Sequence, residues 1–510
     1  VDDSGECPFK DEFLIRGRGI YRPPRDSSYV ASDFVFTKDP QNYRPSQPNT
    51  KAAVFALHKF KKDFVQVEDS KLNYMNKCLQ TLFAPMLLKT TLTPLVKIFD
   101  RLQFNKAAGL PWNLPGAGAH LSLGTKGQVI AFLLELYYPG EEIFIDLTKT
   151  PNFKKEVVIR HLLSVAMRED CVCVGQEKDE IRDKRKYKQT RLFMPTPIQY
   201  VVLGALLFQE QNDALINQCS QRPGLTPFTP GIEMPGPGLH TLYMHLYVLQ
   251  QLSSIYAMME ADGGQWDAKT QPSMVQLIRD FRKLFLPSFA WDLVDYYYDQ
   301  VYYGDVLLGG WVISLFGQRS GHFNTTTDNT LINIATMVSV GFEMKWTPSQ
   351  FLEKITFFCN GDDLLFHTKD MSCTPRMVRE AALKLGVYYE MPGDQYLSLF
   401  DCHFLGTQPV IREIRGAKCF LYKFRSDKLL SSGRYKHKKN TVNDEMQKLV
   451  SLLVELYGDA EQFEQARLDV IEWLKRHFDV SGFSKKLYGS LISYVIDESV
   501  LYRTYTGQSF

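Results

Sequence analysis

Acidic residues stand where apolar strands run out, and few folds tolerate that. Ile255 to Ala261 is a short, mostly apolar run closed by Asp262, and Ile355 to Cys359 leads through Asn360-Gly361-Asp362-Asp363 into Leu364 to Phe366. The first reads as a buried strand and the second as strand, turn, strand, because Asn-Gly between two apolar runs is a strong hairpin signal. If the two are neighbours in one sheet, Asp262, Asp362 and Asp363 converge at its edge. Unpaired carboxylates there repel one another and are poorly solvated unless a cation joins them. Magnesium suits such a place: it is a hard ion that takes oxygen ligands, and a pair of ions can stabilise both the attacking and the leaving oxygens of a nucleotidyl transfer. Taken alone, Asp-Asp after Asn-Gly is better explained as turn chemistry than as catalysis.

Lys178 to Arg191 carries seven basic residues in fourteen, among them Lys178, Arg182, Lys186 and Arg191, and runs straight into the apolar Leu192 to Met194. Its alternation is that of an extended ribbon offering a basic side to phosphate oxygens; a solvated charged face is the competing reading. A second basic stretch, Lys423 to Lys439, includes Lys436 and Lys438 and interleaves Tyr422, Phe424 and Tyr435. It suits a nucleic-acid track or a surface loop.

Between the two acidic sites lies Gly317-Gln-Arg-Ser320-Gly321-His-Phe-Asn-Thr325-Thr-Thr-Asp-Asn329, a polar run opening an apolar helix over Thr325 to Val338. Thr325 and Asn329, four apart, share a helix face. The spacing around Ser320 is not that of a nucleophile elbow, which disfavours a serine hydrolase. Another helix is expected through Met274 to Phe285, and two more over Asn443 to Tyr457 and Ala460 to Phe478, the last opened by Asp459 with Gln462 in a capping-box arrangement.

The formal charge is +2, so any basic surface is local. Nine cysteines, from Cys7 to Cys419, follow no disulfide or zinc spacing and suggest a reducing compartment; ten histidines, His367 and His403 included, show no ligand spacing. No apolar run reaches the ~18 residues of a membrane span. The Pro/Gly-rich stretches Arg16 to Pro24, Leu110 to Gly118 and Pro223 to Gly238 read as ordered loops.

Taken in order, basic Lys-Asp-Glu-Ile-Arg, D-x4-D after a strand, S-G-x3-T-x3-N, and G-D-D in a hairpin resemble the RNA-dependent RNA polymerases of positive-strand RNA viruses in the picornavirus-like supergroup. Asn360-Gly-Asp-Asp is similar to the potyvirus form, and Ala107-Ala-Gly-Leu-Pro-Trp112 resembles a template-entry motif of picornavirus, calicivirus and astrovirus enzymes. The likeness spans about residues 105–407. It implies an α+β right-hand fold of fingers, palm and thumb with an antiparallel palm sheet and a helical thumb. The expected segments are fingers with an N-terminal fingertip region at 1–198, palm at 199–296 and 312–409, a fingers insertion at 297–311, and thumb at 410–510.

By position the resemblance makes Asp262, Asp362 and Asp363 the catalytic carboxylates and ligands of two Mg2+ ions, with Mn2+ as substitute. Asp267 and Asn329 would sense the ribose, with Ser320, Gly321 and Thr325 in the loop that places the nucleotide. Lys178, Arg182, Lys186 and Arg191 would hold the triphosphate, and Lys106, Gly109, Lys436 and Lys438 would meet template or product RNA. Phe400 to Thr407 resembles a primer-grip hairpin. Two positions depart from the pattern: Asn360 replaces the usual Tyr, and Gln395 stands where a Lys is expected to protonate pyrophosphate. Gln cannot act as that acid, leaving Lys384 or a water as alternatives.

The implied partners are RNA template and primer, ribonucleoside triphosphates, a genome-linked protein primer and other viral replication proteins. The implied setting is the host cytoplasm at membrane-associated complexes. A start at Val1 suggests release from a polyprotein, or trimming. A catalytically silent RNA-binding component, a reverse transcriptase and a metal-dependent nuclease are the rival functions.

Overall fold

The computed structural model describes residues 14–16, 27–113, 123–143, 146–186, 189–253, 257–478, 495 and 497–509. Of the features read from the sequence, Cys7, most of the Arg16 to Pro24 loop, residues 114–118, Lys188 and Ile255 lie outside them.

A four-stranded antiparallel sheet lies at the centre, ordered Ile355–Asn360, Asp363–Thr368, Met258–Gly263 and Tyr389–Glu390. The hairpin forms because Phe357, Phe358, Leu364, Leu365 and Phe366 are all buried, one face entering each of two cores. Its turn is Gly361-Asp362 rather than Asn360-Gly361, since Asn360 pairs with Asp363 inside the ladder. Gly361 adopts φ +59, which suits glycine as the first of two turn residues. The first acidic strand also runs on past Asp262 to Gly263, so Asp262 is a strand residue and not its terminator.

Behind the sheet passes the helix Thr325–Glu343, buried continuously from Thr327 to Gly341 and packed on the helices Asp69–Leu87, Pro272–Lys283 and Pro375–Leu383. Its Val338 end carries on five residues beyond expectation, because Val340 and Gly341 remain in the core. A second core joins Met258, Phe358 and Leu365 to the helices Val442–Leu456 and Ala460–His477 and, from far upstream, Phe34 and Phe36. Asp459 caps the later helix by accepting from Gln462 N, 3.3 Å. Gln462 Oε1 finds no partner among the described residues, so the capping box is half made.

A third core lies under the helices Lys126–Tyr137, Asn152–Ala166 and Ile198–Gln221. The stretch expected as an insertion, 297–311, begins in mid-helix, Trp291–Tyr303, and ends within the strand Trp311–Ser314. Ladder hydrogen bonds hold those elements whole: the strand Asp305–Leu308 pairs with both Trp311–Ser314 and Cys173–Val174. The boundary at 409/410 likewise falls inside the strand Thr407–Ile414. No helix among the described residues is long and apolar enough to cross a membrane.

Candidate active site

Strand register brings the acids together. Asp363 lies opposite Asp262 in the ladder, and Glu390 lies opposite Asp262 on its other side. Asp262 and Asp362 are within hydrogen-bonding reach of each other, and burial with this like charge raises the Asp362 carboxyl to about 7. Burial also raises Asp262, helped by Glu390. Asp363 is raised to about 7, again chiefly by burial, although Leu405 N–H donates to its Oδ2 at 2.6 Å. That bond turns Asp363 toward the Phe400 to Thr407 segment and leaves Asp262 and Asp362 facing the cleft. Two crowded carboxylates disfavoured as anions, with no cation bonded to them among the described residues, suit a hard divalent ion. The described residues do not form a preassembled cage of three or more His, Cys, Asp or Glu ligands. The remaining ligands would therefore come from water and substrate phosphate.

The turn carrying Asp362 is fixed from the helix behind it. Asn333 Nδ2 donates to Gly361 O at 3.0 Å and to Asp363 O at 3.1 Å, Thr330 Oγ1 accepts from Gly361 N at 2.8 Å, and Tyr389 O–H donates to Asn333 Oδ1 at 2.6 Å. Sequence reading missed this support. Thr330 and Asn333 follow Asn329 on the helix and differ in no obvious way from its other buried polar residues.

A cleft of about 640 Å³ opens between the sheet edge and the basic segment. Lys178, Arg182, Lys186 and Arg191 line one wall; Asp262, Asp362 and Glu390 line the other; Asp267, Ser320, Thr325 and Asn329 lie between. The basic wall is a folded ribbon: Ile181–Asp183 pairs with Tyr43–Pro45, and Gln176–Glu177 with Leu192–Phe193. Glu180 organises it, receiving Arg191 Nε at 2.8 Å and standing 3.6 Å from Arg182 Nε and 3.9 Å from Lys178 Nζ.

Asp267 is pushed up by burial, yet both its oxygens are held: Asn329 Nδ2 donates to Oδ1 at 2.9 Å and the Ser320 hydroxyl donates to Oδ2. Asn329 Oδ1 is buried without a partner among the described residues. Gly321 N–H donates to Thr325 Oγ1 at 3.0 Å, and Thr325 in turn donates to Arg319 O and His322 O, folding the polar loop onto the helix start. Gly321 adopts φ +118, and a Cβ there would meet Pro195 Cα at 3.1 Å.

The other sequence candidates sit elsewhere. Asp363 and Gly321 adjoin the cleft without lining it, and Lys106, Gly109, Lys436 and Lys438 are outside its lining. Gly109, at φ +77, lets the backbone approach Pro197 Cα, which a Cβ would meet at 2.7 Å. The second basic stretch is not a surface loop. It divides into the end of a strand, the helix Ser426–Gly433, and the strand Tyr435–His437, which pairs with Tyr29–Ala31. Lys436 therefore lies in a ladder, and Lys438 N–H donates to Ser28 O at 2.8 Å. Gln395 is exposed outside the cleft, and Lys384 is engaged by Glu343, so neither reaches it. Glu390 does reach it and was not anticipated; only its register opposite Asp262 reveals it.

One cleft here sets a wall of cations opposite two crowded carboxylates, with a hydroxyl and an amide between them, all at the edge of the central sheet. That combination defines a nucleic-acid polymerase of the right-hand class. Residues 36–495 match the sequence model of the viral RNA-dependent RNA polymerase family, and the chain belongs to that family. Among relatives, the genome polyprotein of Beet mosaic virus is 29% identical over 38% of this chain. That of Peanut mottle virus (strain M) is 23% identical over 74%. This chain spans only 6% and 12% of those polyproteins. The solved sicinivirus 3Dpol RNA-dependent RNA polymerase superposes with a TM-score of 0.67 at 15% identity, covering 94% of this chain and 98% of that one. The shared fold is that of a positive-strand RNA virus polymerase.

Proposed function

We propose that the chain copies an RNA template from ribonucleoside triphosphates, replicating a viral RNA genome. Asp262 and Asp362, with Asp363 beside them, would hold two divalent cations, magnesium or in substitution manganese, which when bound would stabilise the attacking 3′-hydroxyl and the pyrophosphate leaving group. Asp363, through Leu405, fixes the turn to the segment that supports the primer end. Lys178, Arg182, Lys186 and Arg191 grip the triphosphate and offset charge that builds on pyrophosphate. Asp267, Ser320 and Asn329 test the sugar, with Gly321 and Thr325 shaping the loop beneath them. Asn329 Oδ1 is left free to accept from a 2′-hydroxyl, the group that separates RNA precursors from DNA precursors. Lys106 and Gly109 are the proposed contacts to the template, and Lys436 and Lys438 those to product RNA.

The single observation that carries this reading is the pair Asp262 and Asp362, two crowded carboxylates facing a wall of cations across one cleft. We further propose that the chain is released from a polyprotein, starts from a genome-linked protein primer, and works in the host cytoplasm at membrane-associated complexes reached through other replication proteins. The expected segments, fingers, palm and thumb, are part of the same proposal.

The test is primer extension on a homopolymeric RNA template with the matching ribonucleotide and magnesium, beside Asp362→Asn. Extension by the parent and loss of at least about 100-fold in the variant support the reading. Magnesium-independent RNA binding with no synthesis by either protein supports the silent RNA-binding alternative. Preference for deoxyribonucleotides would make the chain a reverse transcriptase, against the free acceptor on Asn329.

A further inference from the structure

We propose that Arg319 is a positioning residue for sugar selection that acts through Ser320, its fully buried guanidinium pinning the polar loop at the place where that loop grips Asp267. The assignment rests on the polymerase reading above and adds to it a residue that touches no substrate and that no motif of the sequence marks.

A guanidinium shut away from water must direct its donors to fixed acceptors. Those of Arg319 go to the backbone: Nη2 donates to Gly304 O at 2.7 Å and to Leu315 O at 2.6 Å, and Nη1 donates to Gly317 O at 3.2 Å. Gly304 and Leu315 lie just past the last ladder pair, Ser314 opposite Asp305, of the strands Asp305–Leu308 and Trp311–Ser314. One head group therefore fastens both feet of that hairpin to the loop that follows it. The same head group is within hydrogen-bonding reach of the buried Cys173 thiol, on the strand that pairs with Val306 and Leu307. The side chain is thus held on every side by sheet elements and not by the loop alone.

Both neighbours of Arg319 in the chain hold Asp267. Gln318 N–H donates to Asp267 O at 2.9 Å, and the Ser320 hydroxyl donates to Asp267 Oδ2. Ser320 O accepts from Met194 N–H at 3.1 Å, at the end of the basic ribbon. The residue after Ser320 is Gly321, at φ +118, whose backbone restrains its neighbour little. The firm anchor on Ser320 is therefore the one before it. With Ser320 in place, Asp267 Oδ1 is set to receive Asn329 Nδ2, the amide whose Oδ1 has no partner among the described residues. A loosened Arg319 thus disturbs the sugar test before it reaches Asp362, whose turn Thr330 and Asn333 hold.

The experiment measures the ratio of kcat/KM for a ribonucleotide over its deoxy counterpart, with the melting temperature, for the parent, Arg319→Gln, Arg319→Lys, Ser320→Ala and the double variant Arg319→Gln with Ser320→Ala. Arg319→Gln and Ser320→Ala are each expected to lower the ratio about tenfold. The double variant should fall no more than about twofold below the lower single one, because both changes break one chain of contacts. Arg319→Lys keeps the charge on a single nitrogen and should lower the ratio about threefold. An unchanged ratio in Arg319→Gln, with or without a lower melting temperature, overturns the assignment in favour of a structural role. Losses that multiply in the double variant overturn it as well, since Arg319 would then act apart from Ser320. If Arg319→Gln does not fold, Arg319→Lys decides: a lowered ratio supports the assignment and the parent's ratio overturns it. An inactive parent, or one without preference for the ribonucleotide, is the failure of the polymerase reading itself, and the assignment falls with it.

Discussion

On the proposed reading, Asn329 discriminates between sugars through a single atom. Its Nδ2 is committed to Asp267, and its Oδ1 is buried with no partner among the described residues. A buried acceptor without a donor costs about 1–3 kcal/mol, and a ribose 2′-hydroxyl recovers it where a deoxyribose cannot. Asn329→Ala is therefore expected to lower the ratio of kcat/KM for a ribonucleotide over its deoxy counterpart by about tenfold or more. An unchanged ratio would move sugar selection to another residue. Lys62 makes a different prediction, because burial lowers its amine to about 7, with Arg319 and Lys269 adding like charge. In the unfolded chain a lysine keeps its proton to about 10.4. Between those values the unfolded state binds more protons, so this residue's contribution to stability improves as pH rises from about 7 toward 10. Below about 7 the folded protein carries the buried charge at full cost. Lys62→Met should accordingly raise the melting temperature more at pH 6 than at pH 9, and an equal gain at both would refute a buried titrating amine.

Among the elements, the acidic hairpin was legible because strand pairing and turn chemistry are local and write themselves into adjacent residues. The helix Pro272–Lys283 was legible through its 3.6-residue period. The two-residue strand Tyr389–Glu390 was not: two residues have no period, and its place beside Asp262 is decided by the sheet. The elements within Lys423 to Lys439 were hidden for the same reason, since strand, helix and strand follow one another faster than composition changes. Nor does any pattern announce Arg282. Its guanidinium is fully buried, bonding Asp328 Oδ1 at 2.9 Å and Gln211, Asn212 and Thr327 at 3.1 Å each, while Tyr298 donates to Asp328 Oδ2 at 2.9 Å. This network orients the helix one residue before Asn329. Arg282→Met leaves Asp328 as a lone buried charge and should cost about 3–5 kcal/mol. Adding Asp328→Asn should recover part of that loss, so the pair is markedly non-additive in urea unfolding. Additive losses would mean that the two charges do not depend on each other.

At the scale of the whole molecule, residues 27–45 tie the basic wall of the cleft to the C-terminal helices. Ser27 Oγ donates to Asp179 at 2.8 Å, beside Glu180; Tyr29–Ala31 pairs with Tyr435–His437; and Tyr43–Pro45 pairs with Ile181–Asp183. Between those ends Phe34 and Phe36 enter the core of the C-terminal helices, Phe34 edge-on to Trp473, and Thr37 N–H donates to Asp469 at 2.8 Å. The sequence showed only aromatic residues in an unpatterned stretch, because its contacts are remote along the chain, 152 residues away for Ser27 with Asp179 and 432 for Thr37 with Asp469. The segment thus ties the basic wall of the cleft to the core of the C-terminal helices. Removing the Phe36 ring leaves a void in that core, and truncating a buried Phe costs about 3–5 kcal/mol. The cost falls on the join between the basic wall and the C-terminal helices, outside the lining of the cleft. Phe36→Ala should therefore release bound RNA faster and shorten the products of a single binding event, while the KM for the next nucleotide stays within about twofold. Gly433→Ala reaches the same join from the other side, since a Cβ there would lie 2.6 Å from the Phe36 ring, and should act alike. Trap-limited extension with a pre-bound primer and template separates the two quantities. If instead the nucleotide KM rises as much as RNA release, the segment works by setting the basic wall, through the Tyr43–Pro45 pairing, and not by holding the C-terminal helices to it.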